Sequence, residues 1–513
     1  MSSRFASRMS RRGFVGALSL AAGAAALAAC GGTAAPTAPP SGAAPAAQGA
    51  PASSGGAAAA AAAPTATAAP AAAGAAAPAQ GAAPPPTPTF VPTATPVPYS
   101  GGDKVLLRVH WSGIQFNDFA KLINEYNSTQ GPKDKIYITL ERQLQAQTGG
   151  GGLVATFIAD FQAGTSEDIY HLNDAYLPDL ATRNFFMEAP QEVAAVVKKD
   201  WWPGTFDTGS WEGKFYGYPT ENQTLCLIIN KKLFEDGTGL TLPKDEPKTW
   251  DDLRKTAKAT TKKDGSGKTT RQGFIWRTDS NEGQTVQRVV MHATMGEEFI
   301  EGWQSGKVPK VNYLSDVGMK IMDLFKGMAD DGSTVAGLGP ESNLQANRLG
   351  TMILHESYSI YFNYKSLGDA NLVGEQYAVV PFSQDGKKKA SNTRNYHYEV
   401  SSKSKAKDQA WKFLKWMNEG PEFRMENFQV NTFGFVPSVK SVNLPSWWPS
   451  QLQEAWKDAL TNTVPMPNAR GLARIEEILA RYQNAVILGK QDVKSAMQQA
   501  DQETKQALEE AYR

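Results

Sequence analysis

Aromatic rings and planar polar groups stand together at a few points where apolar runs break off. Trp111 closes the run VLLRVHW, Asn173 and Asp174 follow EDIYHL, and Glu221 and Asn222 follow a stretch ending at Pro219. Trp276 and Arg277 follow FI, Glu356 and Tyr358 follow TMIL, and Arg394, Asn395, Tyr396 and His397 sit together. Flat rings suit the apolar C–H faces of a polyhydroxylated molecule, while amides, carboxylates and guanidinium groups suit its rim of hydroxyls. Such a set can hold an uncharged ligand without transforming it. Each member also has a plainer reading. Trp111 or Trp276 can be a core ring, Glu221 a surface carboxylate or a lysine partner, Asp174 the cap of a helix at Tyr176, and Arg394 a hinge or interlobe ion pair. The pair Trp447 and Trp448, flanked by Pro445 and Pro449, is either an aromatic pad or a packed corner.

Other chemistries find less support. The five histidines, among them His171, His292 and His355, lack the spacing of metal ligands. The glycine run at 149–152 lacks the Lys and Ser/Thr of a phosphate loop and is expected to be a flexible loop. Two cysteines, Cys30 and Cys226, make no disulfide framework, and Cys226 within LCLIIN reads as a buried, inert thiol. A glycosidase would need two carboxylates about 5 to 9 Å apart. Glu356 and Glu221 are the nominal candidates, with no motif that activates either. No catalytic residue, metal or cofactor is therefore expected.

The elements that must position these residues begin after residue 100. Four of the 52 basic residues and no acidic ones lie before that point, which leaves 48 against 51 and a net charge of −3 over 101–513. A slightly acidic body holding all 12 tryptophans is not built to bind nucleic acid through phosphates. VLLRVHW reads as a strand, FNDFAKLINEYN as a helix with Phe116, Phe119, Leu122, Ile123 and Tyr126 on one face, and IYITLER as a strand. The theme repeats with LVATFIADFQAG as a helix ending at Gly164, EDIYHL as a strand and YLPDLATRNF as a helix. Strand alternating with helix argues for an α/β fold with parallel sheets, whose ligands lie at the carboxyl ends of the strands. Thr249 is placed to cap a helix starting at Trp250, with Asp251 and Asp252 in the first turn. Residues 31–100 are nearly all Ala, Pro, Gly, Thr and Ser, have nothing to bury, and read as a disordered tether.

Two resemblances extend this reading. SRRGFVG at 10–16 followed by an apolar stretch to LAAC at 27–30 resembles a twin-arginine signal ending in a bacterial lipobox. That resemblance implies a signal peptide at 1–29, a lipidated Cys30 and a tether over 30–102. The stretch WEGKFYGYPTENQTLCLIINKKLFEDGTG and then PKTWDDLRKTAKATTK resembles the extracellular solute-binding proteins of bacterial ABC sugar importers. The matching positions are Gly213, Lys214, Tyr216, Gly217 and Pro219, then Asn230, Lys231, Leu233 and Phe234, then Pro247, Thr249, Trp250 and Leu253, with Ile229 where the family has Tyr. Weaker matches in AGTSEDIY, NRLGTMILHESY, AWKFLKWM, FGFVPS and Gly489-Lys490 extend it over nearly all of 104–513.

The resemblance implies a two-lobe, type II periplasmic-binding-protein-like clamshell with a ligand cleft at the hinge. Its lobes are expected at 103–222 with 354–397 and at 223–353 with 398–513, crossing near 221–224, 349–353 and 396–400. The implied ligand is a neutral sugar, a mono- or oligosaccharide, contacted by Trp111, Asn173, Asp174, Glu221, Asn222, Trp276, Arg277, Glu356, Tyr358, Arg394 and Tyr396. A glycerol phosphate ester or a polyamine is the alternative solute, and a secreted glycosidase or polysaccharide lyase the alternative class. The implied partners are the ABC permease and, through Cys30, the membrane at the extracytoplasmic face, with the receptor itself a monomer. Cys30→Ala should leave the protein exported but released from the membrane fraction; sedimentation with membranes at high salt would refute the anchor.

Overall fold

A computed structural model describes residues 105–111, 116–142, 149–278, 280–336, 348–359, 361, 377–380, 383–384, 388–444, 448 and 450–513. Cys30, the signal, the tether and Trp447 lie outside the described residues, as does the side chain of Trp111.

The first units follow the hydrophobic pattern. Strand β1 (Val105–Trp111), helix α1 (Phe116–Thr129) and strand β2 (Ile136–Arg142) are succeeded by α2 (Gly149–Ala163) and β3 (Ile169–Asn173). Phe119, Leu122, Ile123 and Tyr126 are buried on one face of α1, as their spacing requires. The glycine run at 149–152 is not a loop but the first turn of α2. The apolar run from Leu153 propagates the helix back over it, offsetting the roughly 1 kcal/mol per residue that glycine costs there.

The chain continues through β4 (Gly217–Thr220), β5 (Leu225–Asn230), α3 (Trp250–Thr260), β6 (Thr269–Ile275), α4 (Asn281–Thr294) and α5 (Asp316–Asp330). Then come β7 (Gly350–Glu356), β8 (Tyr377–Val380), β9 (Ser391–Thr393), β10 (Tyr396–Val400), α6 (Lys407–Asn418) and α7 (Arg424–Phe433). The last elements are α8 (Ser450–Thr461), β11 (Thr463–Pro465), α9 (Leu472–Ile487) and α10 (Val493–Ala511).

Two five-stranded sheets result. The first has the order β2-β1-β3-β10-β4; the second has β8-β5-β7-β6 with the two-residue strand Lys262–Lys263 at its edge. In the first, β1, β2 and β3 are parallel and β10 runs against both β3 and β4. In the second, β7 is parallel to β6 and antiparallel to β5. A core cluster joins Leu107 and Val109 of β1 to Trp411, Phe413 and Leu414 of α6 and continues to Ile228, Ile353 and Trp456 on one face of the second sheet. A second cluster covers the other face of that sheet with Trp250, Val289, Phe325, Ile475 and Met497. Cys226 is fully buried and burial pushes its thiol pKa up, which keeps it inert. Trp448 is buried, a packed corner.

The lobe boundaries differ from those expected in two places. Strand β7 lies wholly in the second sheet, paired on both sides, so the chain does not change lobes at 349–353, and 354–356 and β8 do not join the first lobe. Strand β10, placed partly in the second lobe by a boundary at 398, lies wholly in the first sheet, and α6 and α7 pack on the first lobe's core. The run GTMILHE is buried at every position, and a strand buried on both faces carries no alternation to show which sheet it enters.

Helix α3 shows how the scaffold is held. The Thr249 side chain accepts a hydrogen bond from Asp252 N at 3.0 Å, and Trp250 Nε1 donates to Thr294 Oγ1 at 2.9 Å. The helix lies so close to β6 that a Cβ on Gly273 would sit 1.8 Å from the Ala257 carbonyl oxygen. Trp250→Ala should lower unfolding stability by about 3–5 kcal/mol and Thr249→Ala by about 1 kcal/mol. Urea unfolding of the ligand-free protein measures both.

Candidate functional site

Strand direction decides which candidates meet. Tyr396 of β10 is level with Asn173 of β3 on one side and Thr220 of β4 on the other, so β3 and β4 end side by side. In the second sheet Glu356, the last residue of β7, pairs with Leu225, the first of β5, and β6 ends alongside. Only residues 221–224 separate the two edges, a reach of at most roughly 18 Å. The carboxyl edges of both sheets therefore converge on one crossover, and with them the residues singled out in the sequence.

The crossover is organised by Arg394, fully buried in the segment between β9 and β10. Its Nη2 donates to Asn173 Oδ1 at 2.8 Å, and its Nε lies 3.3 Å from Asp174 Oδ1 and 3.2 Å from Glu282 Oε1. Nη1 lies 3.3 Å from Glu476 Oε1. The Arg394 carbonyl accepts from Gln223 N at 2.9 Å, and Asn395 N donates to Asp174 Oδ2 at 3.1 Å. Asn222 belongs to the same assembly: its Oδ1 accepts from Thr224 Oγ1 at 2.6 Å and from Thr393 Oγ1 at 3.1 Å, tying two crossing segments together. Asp174 is not the helix cap expected of it. Asn173 takes that role, accepting from Ala175 N at 3.0 Å, because it is the last residue with extended backbone before the turn. Burial pushes the Asp174 carboxyl up to about 7, with Arg394 opposing the shift.

A second charged cluster stands at the ends of β6 and β7. Arg277 Nη1 reaches both Glu356 oxygens, at 3.1 and 3.2 Å, and His355 Nδ1 lies 2.7 Å from Oε2. The guanidinium lies against the first turn of α4, where a Cβ on Gly283 would come within 2.3 Å of Arg277 Nε. A cation at a helix N-terminus opposes the helix dipole, so Glu356 must offset both that and the loss of solvent. Burial raises the Glu356 pKa, but Arg277 and His355 outweigh it and hold the carboxyl below its usual range.

The remaining candidates divide into rings that reach solvent and rings that do not. Tyr396 is half-buried and stacks on His171 at 5.1 Å; Tyr358 is half-buried with edge contacts to His355 at 5.4 Å and Phe435 at 5.2 Å. Trp276 is a core ring, packed on Phe325 with centroids 3.6 Å apart, since residue 276 points into the helical layer of α5. Glu221, at φ +52°, is no surface carboxylate; it accepts from Gln429 Nε2 at 2.8 Å and lies 3.4 Å from His171 Nε2. Burial lifts its pKa to about 8, against the Gln429 hydrogen bond, and so favours its protonated form. Sequence reasoning passed over Gln429, Glu282 and Glu476. The last two sit on helices whose carboxylates resemble an ordinary solvated face; nothing short of the fold marks Gln429. A cavity of about 360 Å³ is lined by Val289 and Ala293 of α4, by Phe299 and Trp303, and by Val464 and Pro465 of β11, the strand paired with β9. Among the described residues no group of three or more His, Cys, Asp or Glu is arranged to hold a metal.

The model of the bacterial extracellular solute-binding proteins matches residues 121–457. The chain belongs to that family. Solute-binding proteins of this family work outside the cytoplasm, in ABC transport. No curated protein matches the chain. Among solved structures, the sugar-binding protein MalE of Xanthomonas citri is 18% identical with TM-score 0.64, covering 79% of this chain and 98% of its own. The cyclic alpha-maltosyl-1,6-maltose binding protein of Arthrobacter globiformis is 19% identical with TM-score 0.63, covering 79% and 100%. An ABC substrate-binding protein of Listeria monocytogenes in complex with cycloalternan is 16% identical with TM-score 0.62, covering 78% and 98%. These likenesses establish the two-lobe clamshell of periplasmic binding proteins for this solute-binding protein.

Within it, the Arg277–Glu356 pair is structural. Arg277→Met should destabilise the solute-binding protein by about 3–5 kcal/mol because Glu356 is left buried and uncompensated. Adding Glu356→Gln should recover most of that loss, in a double-mutant cycle read by urea unfolding.

Proposed function

We propose that this solute-binding protein captures an uncharged carbohydrate, a mono- or oligosaccharide, between its lobes and delivers it to an ABC permease from an anchor at Cys30, catalysing nothing. The observation that carries the reading is the pair of half-buried tyrosines, Tyr396 at the edge of the first sheet and Tyr358 just beyond that of the second, set among charged groups already bound to one another. Rings of this kind offer faces to sugar C–H groups, and neighbouring amides and carboxyls serve hydroxyls. The sugars named for the similar structures, cyclic alpha-maltosyl-1,6-maltose and cycloalternan among them, support the same class.

A phosphate ester fits less well, because Arg277 and Arg394 are both engaged by carboxylates. Hydrolysis has one specific observation in its favour. Burial pushes the Glu221 carboxyl up while Arg277 and His355 hold Glu356 down, the direction of difference that an acid and a nucleophile require. Both carboxyls are nonetheless buried and bonded to Gln429 or Arg277.

The test is a thermal-shift screen over maltotriose, mannotriose and tagatose, followed by calorimetry and an assay for new reducing ends. The expected result is a rise in melting temperature with an unchanged sugar. Tyr396→Ala and Tyr358→Ala should each weaken binding by about 1–3 kcal/mol. Trp276→Ala should instead lower the melting temperature without ligand, as the loss of a core ring does. Silence across a wide sugar panel, or release of reducing ends, would refute the proposal.

A further inference from the structure

The groups around Arg394 come from both sides of the crossover. Asp174 and Asn173 follow β3 of the first sheet, whereas Glu282 stands on α4 and Glu476 on α9, helices of the second lobe. One guanidinium thus faces three carboxylates. Asp174 is completely buried and Glu476 nearly so, while Glu282 reaches solvent. Asp174 Oδ1 accepts no hydrogen bond of good geometry within the protein. Tyr396 and Glu399, from β10, are the other titratable groups facing the cluster, with burial and Asp174 pushing the Glu399 carboxyl up, and Asn468 is the remaining polar neighbour of Asp174. With every carboxylate ionised the cluster would carry a net charge of −2, and its buried members Arg394, Asp174 and Glu476 a net −1 away from water, a cost that a bound proton relieves.

We infer that Arg394 is a proton-linked latch between the lobes: the arrangement in which Asp174, Glu282 and Glu476 converge on it holds a proton that is released when the lobes part. This rests on the reading of the lobes as moving about the crossover. The clustering accounts for the direction of titration. Burial and the neighbouring carboxylates push Asp174 up to about 7, and Glu476 is raised for the same reasons, while Arg394 stays charged among its partners. In a parted form each carboxyl returns toward its ordinary value, so the converged form binds more protons. Its population is then favoured below about pH 7 and lost as the pH rises through that value. For one such proton the ratio of converged to parted forms should fall about tenfold between about pH 6 and about pH 8.

The test uses the full chain carrying Cys30→Ala and spin labels on Lys199→Cys of the first lobe and Lys255→Cys of the second, both strongly exposed positions. Pulsed electron resonance reads the distance distribution without sugar across that range. The population dominant at low pH should decline on raising it. Asp174→Asn with Glu476→Gln should abolish the dependence. Glu282→Gln, a substitution at a solvent-reaching position that leaves the core intact, should shift the midpoint to lower pH. Distances that ignore pH in the native chain overturn the latch. If the double variant does not fold, the Glu282→Gln arm decides, and an unmoved midpoint overturns it. Calorimetry with maltotriose separates this from the carbohydrate reading. Binding with pH-independent distances removes the latch alone. Absence of binding by maltotriose and the rest of the sugar panel, with distances that follow pH, removes the carbohydrate reading and leaves the latch.

Discussion

A guanidinium that cannot reach water governs the middle of this molecule. Arg394 is about 2% exposed, and an ion so placed is tolerated only if its donors are met on all sides. The partners come from segments far apart in sequence: 173–174 after β3, 282 on α4 and 476 on α9. Its carbonyl holds Gln223, and the next residue, Asn395, gives its backbone N–H to Asp174 and its side-chain amide to the Thr220 carbonyl. Two of the chain's passages between the sheets are thereby fastened to a single pair of residues. Loss of the arginine would leave Asp174 and Glu476 buried against each other, so the crossover depends on it electrostatically as well as geometrically.

The same requirement, that buried charge be matched, shapes the second lobe. Arg277 and Glu356 close on each other at the ends of β6 and β7, with burial and the adjacent guanidinium lowering the His355 pKa against the pull of Glu356. Matching the charges internally leaves the solvent-reaching chemistry of the edge to the half-buried tyrosines, the physical basis for proposing an uncharged ligand. Close backbone approaches complete the framework: Gly283 admits the Arg277 side chain, and Gly273 admits α3 onto its sheet. Side chains at either position would push apart the elements that carry the site.

Much of the fold was legible from local pattern. The alternation of β1, α1, β2, α2 and β3 and the cap at Thr249 follow from hydrophobic period and turn chemistry, which act over a few residues. Where the reading failed, the missing information was nonlocal. Strand β7 is buried along its whole length, and only its pairing with β5 and β6 assigns it to the second sheet. The glycines at 149–152 join α2 because a helix forms beside them. Trp276 looks like a binding ring in sequence and is a core ring in space, because the direction of one side chain after β6 depends on where α5 packs.

By itself the sequence determined the α/β class, the contrast between a first hundred residues whose only charges are four arginines and the charged remainder, and the set of residues at strand ends from which any site must be drawn. Strand direction then made those ends converge, which is why Asn173, Glu221, Arg277, Glu356, Arg394 and Tyr396 belong to one edge region. Only the tertiary structure decided what each of them does there. Whether a carboxylate is a solvated surface group, half of an ion pair or a neutral acid depends on desolvation and on polar and charged groups brought in from far along the chain, as Gln429 is to Glu221 across 208 residues and Glu476 to Arg394 across 82. Those energies arise only when the chain has folded, and no spacing in the sequence encodes them.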